Sequence, residues 1–263
     1  MTHPDIAPDH EVEVPVVAHR DAPIEPYDGA DEIDAALTKV ERHTMVTRHR
    51  LAATYQIAAF AEKVNLPGAF VECGTWKGGS SGMLALANLR HGTRPRELHL
   101  FDSFNDMCVP DETVDGPLAV AQARATPGLT GPLDGSLRPM TGFYTPLGGH
   151  ATPTDVRTLL VESLGYIDEY VHIHEGWFQD TLPTVRRGIG EIAVLRLDTD
   201  FYAGTRFCLE QLFDLVVDGG FVIFDDYGCY DGCKQAVDEF LATLSRPIFL
   251  NHIDAEGRYI IKR

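Results

Sequence analysis

Four aspartates close two apolar runs in the second half of the chain: Ile192-Ala193-Val194-Leu195-Arg196-Leu197 leads into Asp198-Thr199-Asp200, and Phe221-Val222-Ile223-Phe224 into Asp225-Asp226. Parallel strands end on one rim of a sheet, and open α/β folds bind their ligands at that rim. Carboxylates crowded there repel one another unless a proton or a cation lies between them. An all-oxygen donor set selects a hard ion, foremost Mg²⁺ with several waters retained. The plainer use of an aspartate at a strand end is to cap the following helix; four on two strands favour the metal. A second chemistry-bearing stretch lies upstream, where Ala69-Phe70-Val71-Glu72-Cys73 breaks into Gly74-Thr75-Trp76-Lys77-Gly78-Gly79-Ser80-Ser81. Glycines there allow positive φ and close approach of a ligand, and the helix start that follows offers unpaired N–H groups. The spacing is neither the dinucleotide fingerprint nor a P-loop. Asp102, closing the run Leu98-His99-Leu100-Phe101, stands where an α/β nucleotide fold places the acid that holds ribose hydroxyls. A nucleotide-like cofactor beside a divalent ion is the chemistry these residues point to.

The elements that must position them follow a βα rhythm. Strands are predicted over 69–73, 97–101, 170–174, 192–197 and 221–224, with helices over 80–91, 154–164, 182–187, 202–216 and 232–244. Two more strands, 247–250 and 259–261, flank a hairpin turn at Asp254-Ala255-Glu256-Gly257. Alternation predicts a mostly parallel sheet with helices on both faces, and the hairpin predicts an antiparallel last strand. Upstream, Ile33, Ala36, Leu37 and Val40 mark one helical face and Leu51, Tyr55, Ala58 a second, with a loop over 42–47 between them. Residues 103–153 are rich in Pro, Gly and Thr. On the ligand side of the sheet such a segment reads as a lid, with a short helix over 118–125.

Composition narrows the function. The chain of 263 residues carries a formal net charge of −17, without the clustered Lys and Arg that phosphate backbones demand, so a nucleic-acid surface is excluded. Five scattered cysteines suit a reducing cytoplasm better than a disulfide framework. Residues 1–30 form an acidic, Pro-rich tail without the basic start and apolar core of a signal peptide, and no stretch reads as a membrane span. The remainder, 31–263, reads as one domain. The tail and the helical region 31–66 are open to two uses, a homodimer contact or a cover over the substrate.

On the residues alone, three rivals to a cofactor-dependent transferase stand. Asp198-Thr199-Asp200 is a D-x-D motif of the kind that holds a metal and a nucleotide sugar in glycosyltransferases, although Glu72 to Ser80 and Asp225-Asp226 then go unused. A metal-dependent hydrolase would use the carboxylates and leave Asp102 without a role. A non-catalytic binding protein would not need the acidic cluster.

The segments Glu72-Cys73-Gly74-Thr75-Trp76-Lys77-Gly78-Gly79-Ser80, Leu195-Arg196-Leu197-Asp198-Thr199-Asp200-Phe201-Tyr202 and Gly219-Gly220-Phe221-Val222-Ile223-Phe224-Asp225-Asp226-Tyr227-Gly228 together resemble the macrocin O-methyltransferase family. Within it the likeness runs toward noviose 4-O-methyltransferases of novobiocin-type aminocoumarin biosynthesis. The resemblance implies a class I methyltransferase (Rossmann-like) sheet of seven strands, S-adenosylmethionine and Mg²⁺ as cofactors, and a small glycosylated acceptor methylated on a deoxysugar hydroxyl; macrolide-sugar and catechol-type acceptors are the neighbouring possibilities. It implies that Glu72, Gly74, Thr75 and Ser80 line the methionine portion, that Asp102 and Ser103 meet the ribose, and that Thr44 and Met45 close over the cofactor. Trp177, Phe178 and Asp180 border the adenine on the same likeness, unless the two aromatics are simply core. The resemblance further implies that Asp198 adjoins the cofactor and, with Asp225 and Asp226, binds Mg²⁺, and that Asp200 is the general base. His91, His99, His150, His172 and His174 are the rival bases.

Overall fold

The computed structural model describes residues 29–263, so all but the last two residues of the acidic tail lie outside it. Its centre is a seven-stranded sheet of β1 (Ala69–Cys73), β2 (Leu98–Asp102), β3 (Val171–Glu175), β4 (Ile192–Leu197), β5 (Val216–Phe224), β6 (Asn251–His252) and β7 (Arg258–Ile261) in the order β3-β2-β1-β4-β5-β7-β6. The first five run parallel, and β7 pairs antiparallel with both β5 and β6. Strand order reverses beside β1, which pairs with β2 on one edge and β4 on the other. The crevice at such a switch point, outside the strands' carboxyl ends, is where this kind of sheet receives ligands.

Successive strand residues face opposite sides of the sheet, and two cores follow from that period. Phe70, Leu98, Leu100, Val194, Phe221 and Ile223 pack against α1 (Ala30–Val40), α2 (Arg48–Lys63), α3 (Gly79–His91) and the short α5 (Pro153–Arg157). Val71, Phe101, Leu195, Val222 and Phe224 pack on the other side with α4 (Gly116–Ala125), α6 (Phe178–Ile189), α7 (Tyr202–Leu212) and α8 (Asp231–Ala242). Every residue of β1 and β4 is buried, so the strands that carry the site's central residues are the most enclosed in the sheet.

Several predicted boundaries move. β5 starts at Val216 in place of 221, because Asp218-Gly219-Gly220 continues the strand past a register shift against β4, with Gly219 at φ 83°; the preceding helix ends at Leu212 in a 3₁₀ turn. No strand forms over 247–250, and the pairing with β7 is made by Asn251 and His252. Helix α6 begins at Phe178, four residues before the predicted start, and carries Pro183 inside it. The helix opening at Pro153, capped by Thr152 and Asp155 in a reciprocal box, passes into a π turn over Thr158–Ser163.

The segment after β2 has structure of its own. Besides α4 it contains antiparallel bridges joining Cys108 to Pro139 and Asp111 to Asp134. Buried Asp106 accepts from the amides of Gly142 (2.8 Å) and Tyr144 (2.9 Å), and buried Asp115 from those of Asp111 (2.7 Å) and Tyr202 (2.8 Å). Carboxylates that bond backbone amides order a segment that pattern alone reads as loop.

Candidate active site

The turn after β1 is held between its two neighbours. Gly74 N donates to Phe101 O and Asp198 N to Cys73 O, both at 2.8 Å. A Cβ on Gly74 (φ 89°) would lie 1.8 Å from the Asp198 carbonyl oxygen, so only glycine fits where β1 and β4 part. Asp102 then shapes the loop: Oδ2 accepts from Thr75 N (2.8 Å) and Trp76 N (2.7 Å), and Oδ1 from Phe104 N (2.7 Å). Three of its roughly four acceptor positions are thereby filled by backbone, which leaves one for a ligand. Trp76 and Phe104 both take left-handed φ, 47° and 49°, and Asp102 is the common partner that holds these two unfavourable backbones.

Below the turn runs a buried chain of charges. Arg196, wholly buried in β4, donates to Glu72 Oε1 (2.9 Å), Asp198 Oδ2 (2.9 Å) and Asp225 Oδ1. Arg50 of α2 donates to Asp225 Oδ2 and to Glu256 Oε2 (2.5 Å), with Asp254 at 3.3 Å from its Nε. Asp225, expected as a metal ligand, is thus clasped through both oxygens by arginines. Glu72, expected beside the methionine portion, does not line the cavity; it is fully buried between Arg196 and the Ser81 hydroxyl. Burial pushes its carboxyl up to about 7, against the pull of Arg196.

Three carboxylates on the other side of Asp225 have a different setting. One oxygen each from Asp198, Asp200 and Asp226 lie within 4.8 Å of one another. Asp200 sits at a left-handed φ of 57°, and its amide donates to Asp226 Oδ2 at 3.2 Å. Burial, then repulsion from Asp198, raises the Asp200 carboxyl far above its ordinary range; burial and Asp200 do the same to Asp226. Acids this close hold protons or gather a cation. The trio is the predicted rim cluster with Asp200 in the place expected of Asp225.

A cavity of about 650 Å³ opens above these groups. Thr44, Met45, Gly74, Thr75, Ser80, Asp102, Ser103, Trp177, Phe178, Asp198, Asp200, Asp225 and Asp226, all singled out in the sequence, line it. Asp180 does not: in the first turn of α6 it is exposed to solvent while Gln179 takes the wall position. The five rival histidines lie off the lining as well. Pattern reading missed Arg50, Gln179, Tyr144 and Tyr230; an arginine inside an otherwise apolar buried run, Arg196, was the one visible signal of the charge chain. Thr75 Oγ1, Trp76 Nε1 and Gln179 Oε1 are buried on the cavity wall with no hydrogen-bond partner, an arrangement that costs stability unless a polar ligand satisfies it.

A model of the macrocin O-methyltransferase family matches residues 19–129 and 153–262. The chain belongs to that family. The internal unmatched stretch, 130–152, falls within the segment between β2 and α5. The chain is 32% identical over 245 residues to the 8-demethyl-8-(2,3-dimethoxy-alpha-L-rhamnosyl)-tetracenomycin-C 4'-O-methyltransferase of Streptomyces olivaceus, covering 91% of this chain and 85% of that one. It is 33% identical over 217 residues to the demethyldecarbamoylnovobiocin O-methyltransferase of Streptomyces niveus, covering 82% and 74%. The solved structure of the O-methyltransferase NovP superposes with a TM-score of 0.66 at 31% identity, covering 86% of this chain and 88% of that one. The protein is therefore an S-adenosylmethionine-dependent O-methyltransferase with the class I fold, and the glycosyltransferase, hydrolase and binding-protein readings fall away.

Proposed function

We propose that the protein methylates a deoxysugar hydroxyl of a glycosylated antibiotic with the help of Mg²⁺, and that the 4-hydroxyl of a noviosyl group in aminocoumarin biosynthesis is the first acceptor to try. The observation that carries this reading is the convergence of Asp198, Asp200 and Asp226 on the floor of a large cavity beside the glycine turn. S-adenosylmethionine supplies an electrophilic sulfonium methyl, and Mg²⁺ supplies a Lewis acid that lowers the pKa of a bound hydroxyl. Asp198 and Asp226 are the residues that would hold the ion, with Arg196 fixing the Asp198 carboxylate from below and Asp225 clasped behind it. With the ion's charge offsetting Asp198 and Asp226, Asp200 would be ionised and could accept the proton of the sugar hydroxyl at one carboxylate oxygen. Thr44, Met45, Thr75, Ser80, Asp102, Ser103, Trp177 and Phe178 form the wall for the cofactor, and the unpaired polar atoms of Thr75, Trp76 and Gln179 fit a polar nucleoside.

The lid fixes the acceptor's other end. Met107, Val109, Leu118, Leu137, Phe143 and Pro146 make its wall apolar, and among the described lining residues the only lysine or arginine is Arg50, already committed to three carboxylates. A diphosphate would find no uncommitted lysine or arginine along that apolar wall to receive it, whereas a neutral aglycone buries apolar surface. Mass spectrometry of reactions with S-adenosylmethionine and Mg²⁺ tests the reading across a panel of noviosyl and rhamnosyl glycosides and nucleotide-linked deoxysugars. A +14 Da product from a glycoside, abolished by EDTA and restored by Mg²⁺, is the expected result; turnover of the nucleotide-linked sugars alone, or full activity in EDTA, defeats it.

A further inference from the structure

Outside the cavity lining, one row across the sheet changes character. His172, His99, Val71, Leu195, Val222 and Ile260 are successive register partners from β3 to β7 on the face toward α6 to α8. Four are apolar; the two on β2 and the edge strand β3 are imidazoles. The next row adds His174 on β3, opposite Phe101. The His99 ring stacks on His172 at 4.7 Å and on His174 at 5.5 Å, and its Nδ1 lies 3.2 Å from His174 Nε2. Glu97, immediately before β2, completes the group at 2.5 Å from His172 Nε2. One donor atom each from Glu97, His99 and His172 lie within 4.8 Å of one another, and none of the four residues lines the cavity.

We propose that Glu97, His99 and His172 form a second metal site, for a borderline divalent ion such as Zn²⁺, distinct from the Asp198 trio. Imidazole with one carboxylate suits zinc and its neighbours and is a poor set for Mg²⁺. Because His99 Nδ1 faces His174, its Nε2 is left as the ligating atom, and His174 becomes the outer partner that fixes the His99 ring and tautomer. His99 is 8% exposed and anchors the site, while Glu97 and His172 stand near the surface and give an ion access from solvent. Three protein ligands leave room for water as a fourth. An ion there ties the edge strand β3 to β2, and β3 runs directly into Gly176, Trp177 and Phe178 of the cavity wall. The site would therefore brace that wall without joining the chemistry.

The test uses the full chain stripped of metal by chelator and dialysis, then held in 10 mM Mg²⁺ to occupy the aspartate trio. Titration with Co²⁺ should give the visible bands of a nitrogen-containing low-coordinate site, and Zn²⁺ should displace them at one equivalent. Glu97→Gln and His172→Gln, both partly exposed at the surface, should each weaken binding by about 10-fold or more while methyl transfer in Mg²⁺ alone continues. Zn²⁺ binding that persists unchanged in the Glu97→Gln, His172→Gln double variant, or that vanishes only in Asp226→Asn, would overturn the assignment.

Discussion

Asp225 and Asp226 are neighbours in the chain and opposites in setting. Asp225 has an arginine on each oxygen, Arg196 from the next strand and Arg50 from a helix on the sheet's face. Asp226 is 6% exposed and, among the described residues, hydrogen-bonds no arginine; the charges that act on it most strongly are the carboxylates of Asp200 and Asp198, with Arg50 only a weaker opposing pull. A buried acid matched by cations belongs to the fold, because removing either partner leaves an uncompensated charge. One gathered with other acids is held at a cost, and such costs concentrate where a ligand is to be bound. The difference separates the scaffold's carboxylates from those available for chemistry, at a distance of one residue.

The largest effect that would test this division is on turnover. Asp200→Asn keeps the size of the side chain and removes the proton acceptor, so kcat should fall by roughly 10²–10⁴-fold, with S-adenosylhomocysteine affinity by calorimetry within a few-fold of the parent. Loss of Mg²⁺ binding in that variant would move Asp200 from base to metal ligand. Next in size is Asp225→Asn, which leaves Arg50 and Arg196 each short of a partner in the interior. Chemical denaturation should show a loss of about 3 kcal/mol or more; a variant as stable as the parent would mean that Glu72, Asp198, Asp254 and Glu256 suffice to neutralise both arginines.

Asp226→Asn should act in the opposite direction. Removing one of three crowded carboxylates relieves repulsion, so the metal-free protein should gain about 1 kcal/mol, while the rise in Tm on adding Mg²⁺ disappears. A fall in metal-free stability to match Asp225→Asn would erase the distinction between the two neighbours.

The parts of this arrangement that local pattern encodes were legible. The Gly74 turn, the carboxylates at the ends of β4 and β5 and the reversal into a final hairpin each show in a few consecutive residues, because glycine conformation and strand period are local properties. The clasp around Asp225 was not, since Arg50 meets it from 175 positions away in the chain, and nothing near Arg50 marks which strand it will face. The same cause misplaced Asp180: the sequence shows an acid beside two aromatics, but which of Gln179 and Asp180 faces the cavity depends on α6 starting at Phe178, four residues before the predicted start. The order within the segment after β2 rests on Asp106 and Asp115 capturing distant amides, which leaves no periodic trace.

An effect read as a slope with pH concerns Glu72, which joins the two settings: it is paired with Arg196 like Asp225, yet burial wins and its carboxyl rises from 4.5 to about 7. Between those values the folded protein keeps a proton that the unfolded chain has released. By linkage, this group's contribution to stability is full below about pH 4.5 and is lost as the pH rises toward 7, with a slope of at most about 1.4 kcal/mol per pH unit. Glu72→Gln cannot titrate, so the metal-free variant should show a shallower decline of Tm across that window, and its advantage over the parent should be greatest near pH 7. Should the two curves run parallel, Glu72 is ionised throughout, Arg196 outweighs its burial, and the compensated region extends through all of Glu72, Asp198 and Asp225, which would leave Asp200 and Asp226 as the whole of the uncompensated one.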